Sequence, residues 1–198
     1  MLKLYDFRLS GNCYKIRLLM SLLNLEYESI PVNLLSGEQK TSKFLELNQW
    51  GQVPVLVDGD LVLQDSQAML VYLAQHYGGK SWQLNDAASL GSVMQWLSIA
   101  VHDIKQGLAF ARVYHLFGRQ LDIETATAQA HAVLNVINQH LAQRNWLELD
   151  RPTIADIACF PYIAMAEDGK ISLVEYPHIV NWIDRVKQLP GYIELPSR

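Results

Sequence analysis

The spacing of apolar positions divides this chain into two unlike halves. Up to about Tyr77, short apolar runs alternate with segments of helical period. Lys3-Leu4-Tyr5-Asp6 reads as a short strand. A turn at Ser10-Gly11 then leads into a helix that places Ile16, Leu19, Met20 and Leu23 on one side. Tyr27–Val32 is a second strand, ending near Pro31, and a further helix precedes the next strand. Val53–Val57 and Leu61–Leu63 flank Asp58-Gly59, a pair suited to a tight turn with positive φ, and so predict a hairpin. Asp65-Ser66 then caps a third helix carrying Ala68, Met69, Tyr72 and Leu73. The order is βαβ followed by ββα, an α/β domain of thioredoxin-like arrangement over residues 1–77.

Beyond Gly78-Gly79-Lys80 and a linker over 78–86, strand signals stop. Ala87 to Phe117 reads as one long helix carrying Met94, Leu97, Val101, Ile104 and Leu108. Ile123 to Trp146 reads as a second. Thr153-Ile154-Ala155-Asp156 has the spacing of a capping box and heads a third, so Asp156 is assigned to folding, not to chemistry. Pro177 to Leu189 is another helix, ended by Pro190-Gly191. Residues 87–198 therefore form an all-α helical bundle domain.

Composition narrows the function classes. Half of the residues are apolar and the net charge is −4. Residues 1–77 hold 6 basic and 8 acidic side chains and residues 78–198 hold 10 and 12. Neither half offers the basic surface that nucleic acid requires. Two distant cysteines and no signal-like N-terminus point to a reducing, cytoplasmic setting. No apolar run is long enough for a membrane span. The six histidines form no ligand cluster; His131 and His140 are nine apart on a helix and do not share a face, so no metal is expected.

Three local features carry chemistry. Pro54 stands at the mouth of an apolar strand, where a cis Val53-Pro54 bond would turn the Val53 backbone outward as a free edge for a peptide ligand; an ordinary trans strand start is the alternative. Asp65-Ser66 at a helix start serves either as a cap alone or as a cap that also holds an anionic ligand. Ser10-Gly11-Asn12-Cys13 occupies the frame where a thioredoxin-like fold carries a C-x-x-C dithiol. The first cysteine is absent, so no internal disulfide cycle is available. Cys13 is either a reactive thiol or a small packing residue. Cys159, among Ile154, Ile157, Ala158 and Phe160, is core.

The segments "LSGNCYKIRL", "GQVPVL", "QDSQAMLVYL" and "RPTIADIACFPYI" together resemble the cytosolic glutathione S-transferases of bacterial type, in their serine-type, beta- or zeta-like form. The resemblance spans nearly the whole chain. It implies that glutathione is the co-substrate and that its cysteinyl backbone pairs with Val53 beside Pro54. Asp65 and Ser66 would take the γ-glutamyl end, with Gln52 and Lys40 near the glycyl carboxylate. Ser10, on spacing alone equally a plain N-cap of the first helix, would stabilise the thiolate, with Asn12 as supporting or substitute donor and Tyr5 third. His102, Lys105 and Arg112 would line the electrophile pocket, Arg112 alternatively forming an internal ion pair, while Trp96 and Tyr114 are either pocket or core. A homodimer is implied as well. Other glutathione chemistry (peroxidase, thiol-transferase through Cys13, zeta-type isomerase) and a non-catalytic binding protein of the same fold are the alternatives.

Overall fold

The computed structural model describes residues 1–196. Its chain forms two compact units. The first comprises Met1–Gln83 together with the segment from Pro190, and the second comprises Leu84–Leu189.

In the first unit, β1 (Leu2–Asp6) pairs in parallel with β2 (Tyr27–Pro31), from Leu2 opposite Tyr27 to Asp6 opposite Pro31. Parallel pairing needs a crossover, and α1 (Gly11–Leu22) supplies it. The short α2 (Ser42–Leu47) leads to β3 (Val55–Asp58), which runs antiparallel to β1 with Leu4 opposite Leu56. A turn at Gly59, φ 57°, returns the chain as β4 (Leu61–Leu63). The sheet order is β2-β1-β3-β4. The central strand alternates as its sequence requires: Leu2 and Leu4 are buried while Lys3 and Tyr5 are partly open. The helix α3 (Ser66–Tyr77) packs with α1, and Ile16, Leu19, Met20, Met69, Leu70 and Leu73 are fully buried. The chain end returns onto α1. Ser21 Oγ donates to the Gly191 carbonyl at 2.7 Å and the Tyr14 hydroxyl donates to the Ile193 carbonyl at 2.6 Å. Gly191 has φ 91°, and a Cβ there would stand 2.8 Å from the Ser21 carbonyl, so glycine is required. A short α4 (Gly79–Trp82) lies inside the linker read from the sequence.

In the second unit the long first helix is broken. Its α5 (Ala87–Val101) stops at His102, whose φ −106° and ψ −80° leave the helical region. A wide π-helical segment, Lys105–Ala109, then feeds α6 (Phe110–Phe117). The break accompanies a close approach: a Cβ on Gly107 would meet the Ala130 backbone at 2.6 Å. The sequence periodicity passes through this break because Leu97 before it and Ile104 and Leu108 after it all stay buried. The next helix, α7 (Ile123–Leu141), ends five residues before Trp146. There the Leu147 amide turns to donate to Asp156 Oδ1 at 3.0 Å.

Asp156 lies in the first turn of the largely buried α8 (Ile154–Ala164). It is fully buried and also accepts from the Thr153 amide at 2.9 Å and from Trp182 Nε1, on α9 (Pro177–Lys187), at 2.9 Å. Burial pushes its carboxyl above the usual range, against the pull of these donors. One side chain thus joins the loop after α7, the start of α8 and α9.

Candidate functional site

Ser10 is the N-cap of α1. Its backbone is extended, its amide donates to the Phe7 carbonyl at 2.9 Å, and its Oγ accepts from the Cys13 amide at 3.3 Å. A hydroxyl that accepts through a lone pair keeps its proton for donation. Capping and donation to a sulfur anion are therefore compatible in this one side chain. Asn12 is half-buried in the same first turn. Cys13 is fully buried, and its Sγ accepts from the Phe7 amide at 3.4 Å. Burial, reinforced by the nearby Asp6 carboxylate, pushes its thiol up to about 12. It is a packing residue in the protonated state. Tyr5 stands apart from the turn: its ring meets Phe44 edge-on at 6.3 Å, beside the core formed by Val32, Phe44 and Val55.

The loop before β3 is held by a buried side chain that sequence reading missed. Asn48 Nδ2 donates to the Gln52 carbonyl at 2.8 Å, and its Oδ1 accepts from the Trp50 amide at 3.0 Å. Gly51 has φ 58°, and a Cβ there would stand 2.7 Å from both the Gln39 carbonyl and Lys40 Nζ. Lys40 Nζ donates to the Trp50 carbonyl at 3.2 Å, which sets its ammonium beside this loop. The Val53-Pro54 peptide is cis, and the ladder of β3 begins only at Val55.

Asp65 caps α3, with Oδ1 accepting from the amides of Gln67 and Ala68 at 2.9 Å each. Ser66 follows it, buried, in the first turn. Gln52 and Asp65 line one open cavity of about 600 Å³ together with Trp50, Val62, Leu63, Gln64 and Ala68. Gln64 Nε2 donates to the Leu47 carbonyl at 2.9 Å, joining the start of α3 to the end of α2. The structure thus brings Gln52 and Asp65 to one cavity, with Lys40 held beside it through Trp50. Trp50 itself, 67% exposed, escaped the sequence reading; a large aromatic in a polar loop was the available signal.

Of the residues assigned to the second unit, His102 caps the end of α5, exposed, with Nδ1 3.3 Å from Asp103 Oδ1. It lines an open cavity of about 350 Å³ with Gln106, Val133 and Val136. Lys105 is exposed at the start of the π-helical segment. Of the two roles read for Arg112, the ion pair is the one present: its side chain is buried, and Nε donates to Asp168 Oδ2 at 2.8 Å. A buried guanidinium must be paired, so Arg112 serves an internal ion pair. Trp96 is likewise buried, with Nε1 donating to Glu148 Oε1 at 3.0 Å. Tyr114 is half-buried against the edge of His115. Among the described residues, no three histidine, cysteine or acidic side chains are grouped to hold a metal ion, and no helix is long and apolar enough to cross a membrane.

Known proteins share both halves of this design. Residues 4–81 match the glutathione S-transferase N-terminal domain and residues 94–190 the glutathione S-transferase C-terminal domain. A zeta-class glutathione S-transferase of Euphorbia esula is 49% identical over 199 residues, covering 96% of this chain and 88% of its own. The disulfide-bond oxidoreductase YfcG of Escherichia coli is 28% identical over 201 residues, covering 96% and 92%. The crystal structure of a glutathione S-transferase from Pseudomonas fluorescens superposes with a TM-score of 0.93 at 31% identity, over 99% of each chain. The thioredoxin-like first unit, the helical second unit and these matches agree: the chain belongs to the cytosolic glutathione S-transferase superfamily.

Proposed function

We propose that the protein conjugates the thiolate of glutathione to small, largely apolar electrophiles. The observation that carries this reading is the state of the α1 N-terminus. Ser10 Oγ accepts the cap bond and keeps its proton to donate, while the neighbouring thiol of Cys13 is buried and held protonated. The nucleophile is then the sulfur of bound glutathione, not one of the protein's own.

In this mechanism Val53 pairs with the cysteinyl backbone beside Pro54. Asp65 takes the γ-glutamyl amine and Ser66 the α-carboxylate, while Gln52 and Lys40 stand near the glycyl carboxylate. Backbone amides at the start of α1 and the Ser10 hydroxyl favour the sulfur anion, with Asn12 as a second donor. The thiolate attacks the electrophilic carbon, a carbon–sulfur bond forms, and the leaving group departs with its electron pair. His102 and Lys105 of the helical unit are the candidate contacts of the electrophile. Two buried cysteines, neither in a disulfide, suit a reducing cytoplasm. A homodimer is proposed on the family membership alone.

Turnover of a chlorinated dinitrobenzene tests this reading. Ser10→Ala is expected to lower kcat/KM about 100-fold, in the range of losing one preorganised donor; undiminished turnover removes Ser10 from its role. A second reading, isomerisation by the same bound thiolate, is favoured by the identity with the zeta-class relative. It is supported if a cis-enedione substrate is turned over and the nitrobenzene is not. Any disulfide reduction, the activity stated in the name of the YfcG relative, is expected to survive Cys13→Ser.

A further inference from the structure

Ser10 is presented by a turn that one guanidinium fastens at three places. Asp6 closes β1 and is 8% exposed. Arg17, in the second turn of α1, sets Nη1 against both Asp6 carboxylate oxygens at 2.5 and 2.6 Å. Its Nη2 donates to the Arg8 carbonyl, inside the turn, at 2.9 Å. Strand end, turn and helix are thereby joined through the rigid fork of one side chain, a geometry that a lysine ammonium does not reproduce.

The pair also has an electrostatic consequence. Phe7, the residue after Asp6, donates its amide to Cys13 Sγ at 3.4 Å, and the Cys13 amide donates to Ser10 Oγ at 3.3 Å. Asp6, Cys13 and Ser10 thus share one small volume. A carboxylate there opposes any second anion at the start of α1 unless a cation cancels it. The thiol of Cys13 already feels both charges, Asp6 raising it and Arg17 lowering it. The other titratable groups that sense the pair, Tyr14 on α1 and Tyr27 on β2, are pushed up by burial and stay neutral. The Tyr14 ring also lies 5.9 Å from the Arg17 guanidinium.

We propose that Arg17 is a positioning residue for the thiolate: it holds the turn that presents Ser10 and cancels the Asp6 charge beside the sulfur of bound glutathione. The proposal rests on reading Ser10 as the thiol donor. Its test is the ultraviolet thiolate absorbance of the glutathione complex, titrated against pH. In Arg17→Gln the apparent pKa of the bound thiol rises by about one unit or more, because Asp6 is left uncompensated. In Asp6→Asn it falls, because Arg17 is left uncompensated. In the double variant, which carries no lone charge, it returns close to the wild-type value. Arg17→Lys keeps that value but raises KM for glutathione, since the bond to the Arg8 carbonyl is lost. Should Arg17→Gln not fold, Asp6→Asn and the double variant carry the same comparison. Single variants that titrate as wild type overturn the proposal, as does a double variant that fails to recover. Wild-type protein that binds no glutathione overturns the functional reading itself, a result told apart by the binding measurement alone.

Discussion

The side-chain amide of Asn48 donates to the Gln52 carbonyl at 2.8 Å while accepting from the Trp50 amide at 3.0 Å, so one fully buried residue closes the loop that carries Gln52 and Val53. Asn48→Ala leaves both loop groups without that partner. We expect the glutathione Kd to rise about 10-fold, equivalent to about 1.4 kcal/mol. Conjugation at saturating glutathione should change little. Calorimetric titration against steady-state rates separates the two; an unchanged Kd would show that the loop holds its form without Asn48.

Gly51 has a neighbouring requirement. With φ 58° and Lys40 Nζ and the Gln39 carbonyl 2.7 Å from where a Cβ would stand, Gly51→Ala both strains the backbone and displaces Lys40. A loss of about 1–3 kcal/mol in stability is expected, measured by urea unfolding. Weaker glutathione binding should accompany it.

Cys13 is expected to be chemically silent in the folded protein. With its thiol pushed up to about 12 by burial, roughly one molecule in ten thousand carries the thiolate at pH 8. Iodoacetamide should label Cys13 only in denaturant, as read by peptide mass. Rapid labelling of the native protein would restore the thiol-transferase alternative.

Asp156→Ala is expected to harm folding before chemistry. It strands the Leu147 and Thr153 amides and Trp182 Nε1 in the interior. The cost is about 3–5 kcal/mol, near the margin of many domains. Denaturant unfolding reads it directly, and any soluble fraction should keep the wild-type KM for glutathione.

Asp58 supplies a pH dependence of definite sign. Its Oδ2 accepts from the Tyr77 hydroxyl at 2.5 Å and the Tyr72 hydroxyl at 2.7 Å, and these bonds hold its carboxyl below the ordinary 3.8. A depressed folded-state pKa adds stability that is complete above the unfolded value and lost as pH falls through the folded one. Asp58→Asn should therefore cost about 0.5–1 kcal/mol at neutral pH, discounted for solvent screening. The difference from wild type should close below about pH 4. A gap that stays constant down to strong acid would contradict this.

Periodicity and turn chemistry made most of the first unit legible before any coordinates. The βαβ–ββα order, the Asp58-Gly59 hairpin and the caps at Ser10, Asp65 and Thr153 follow from local rules, because each concerns residues within a few positions of one another. The break after Val101 was not legible, since Leu97, Ile104 and Leu108 keep a helical apolar spacing across it while the accompanying approach of Gly107 to Ala130 is distant in sequence. Nor was Asp168 as the partner of Arg112, or the return of Tyr192 and Ile193 to the side of α1. The sequence by itself determined which elements form and where chemistry-bearing residue types start them. Tertiary structure alone decided which charges are cancelled and which loops are held, because ion pairs such as Asp6–Arg17 and buried amides such as Asn48 depend on groups that folding brings together and that no local pattern encodes.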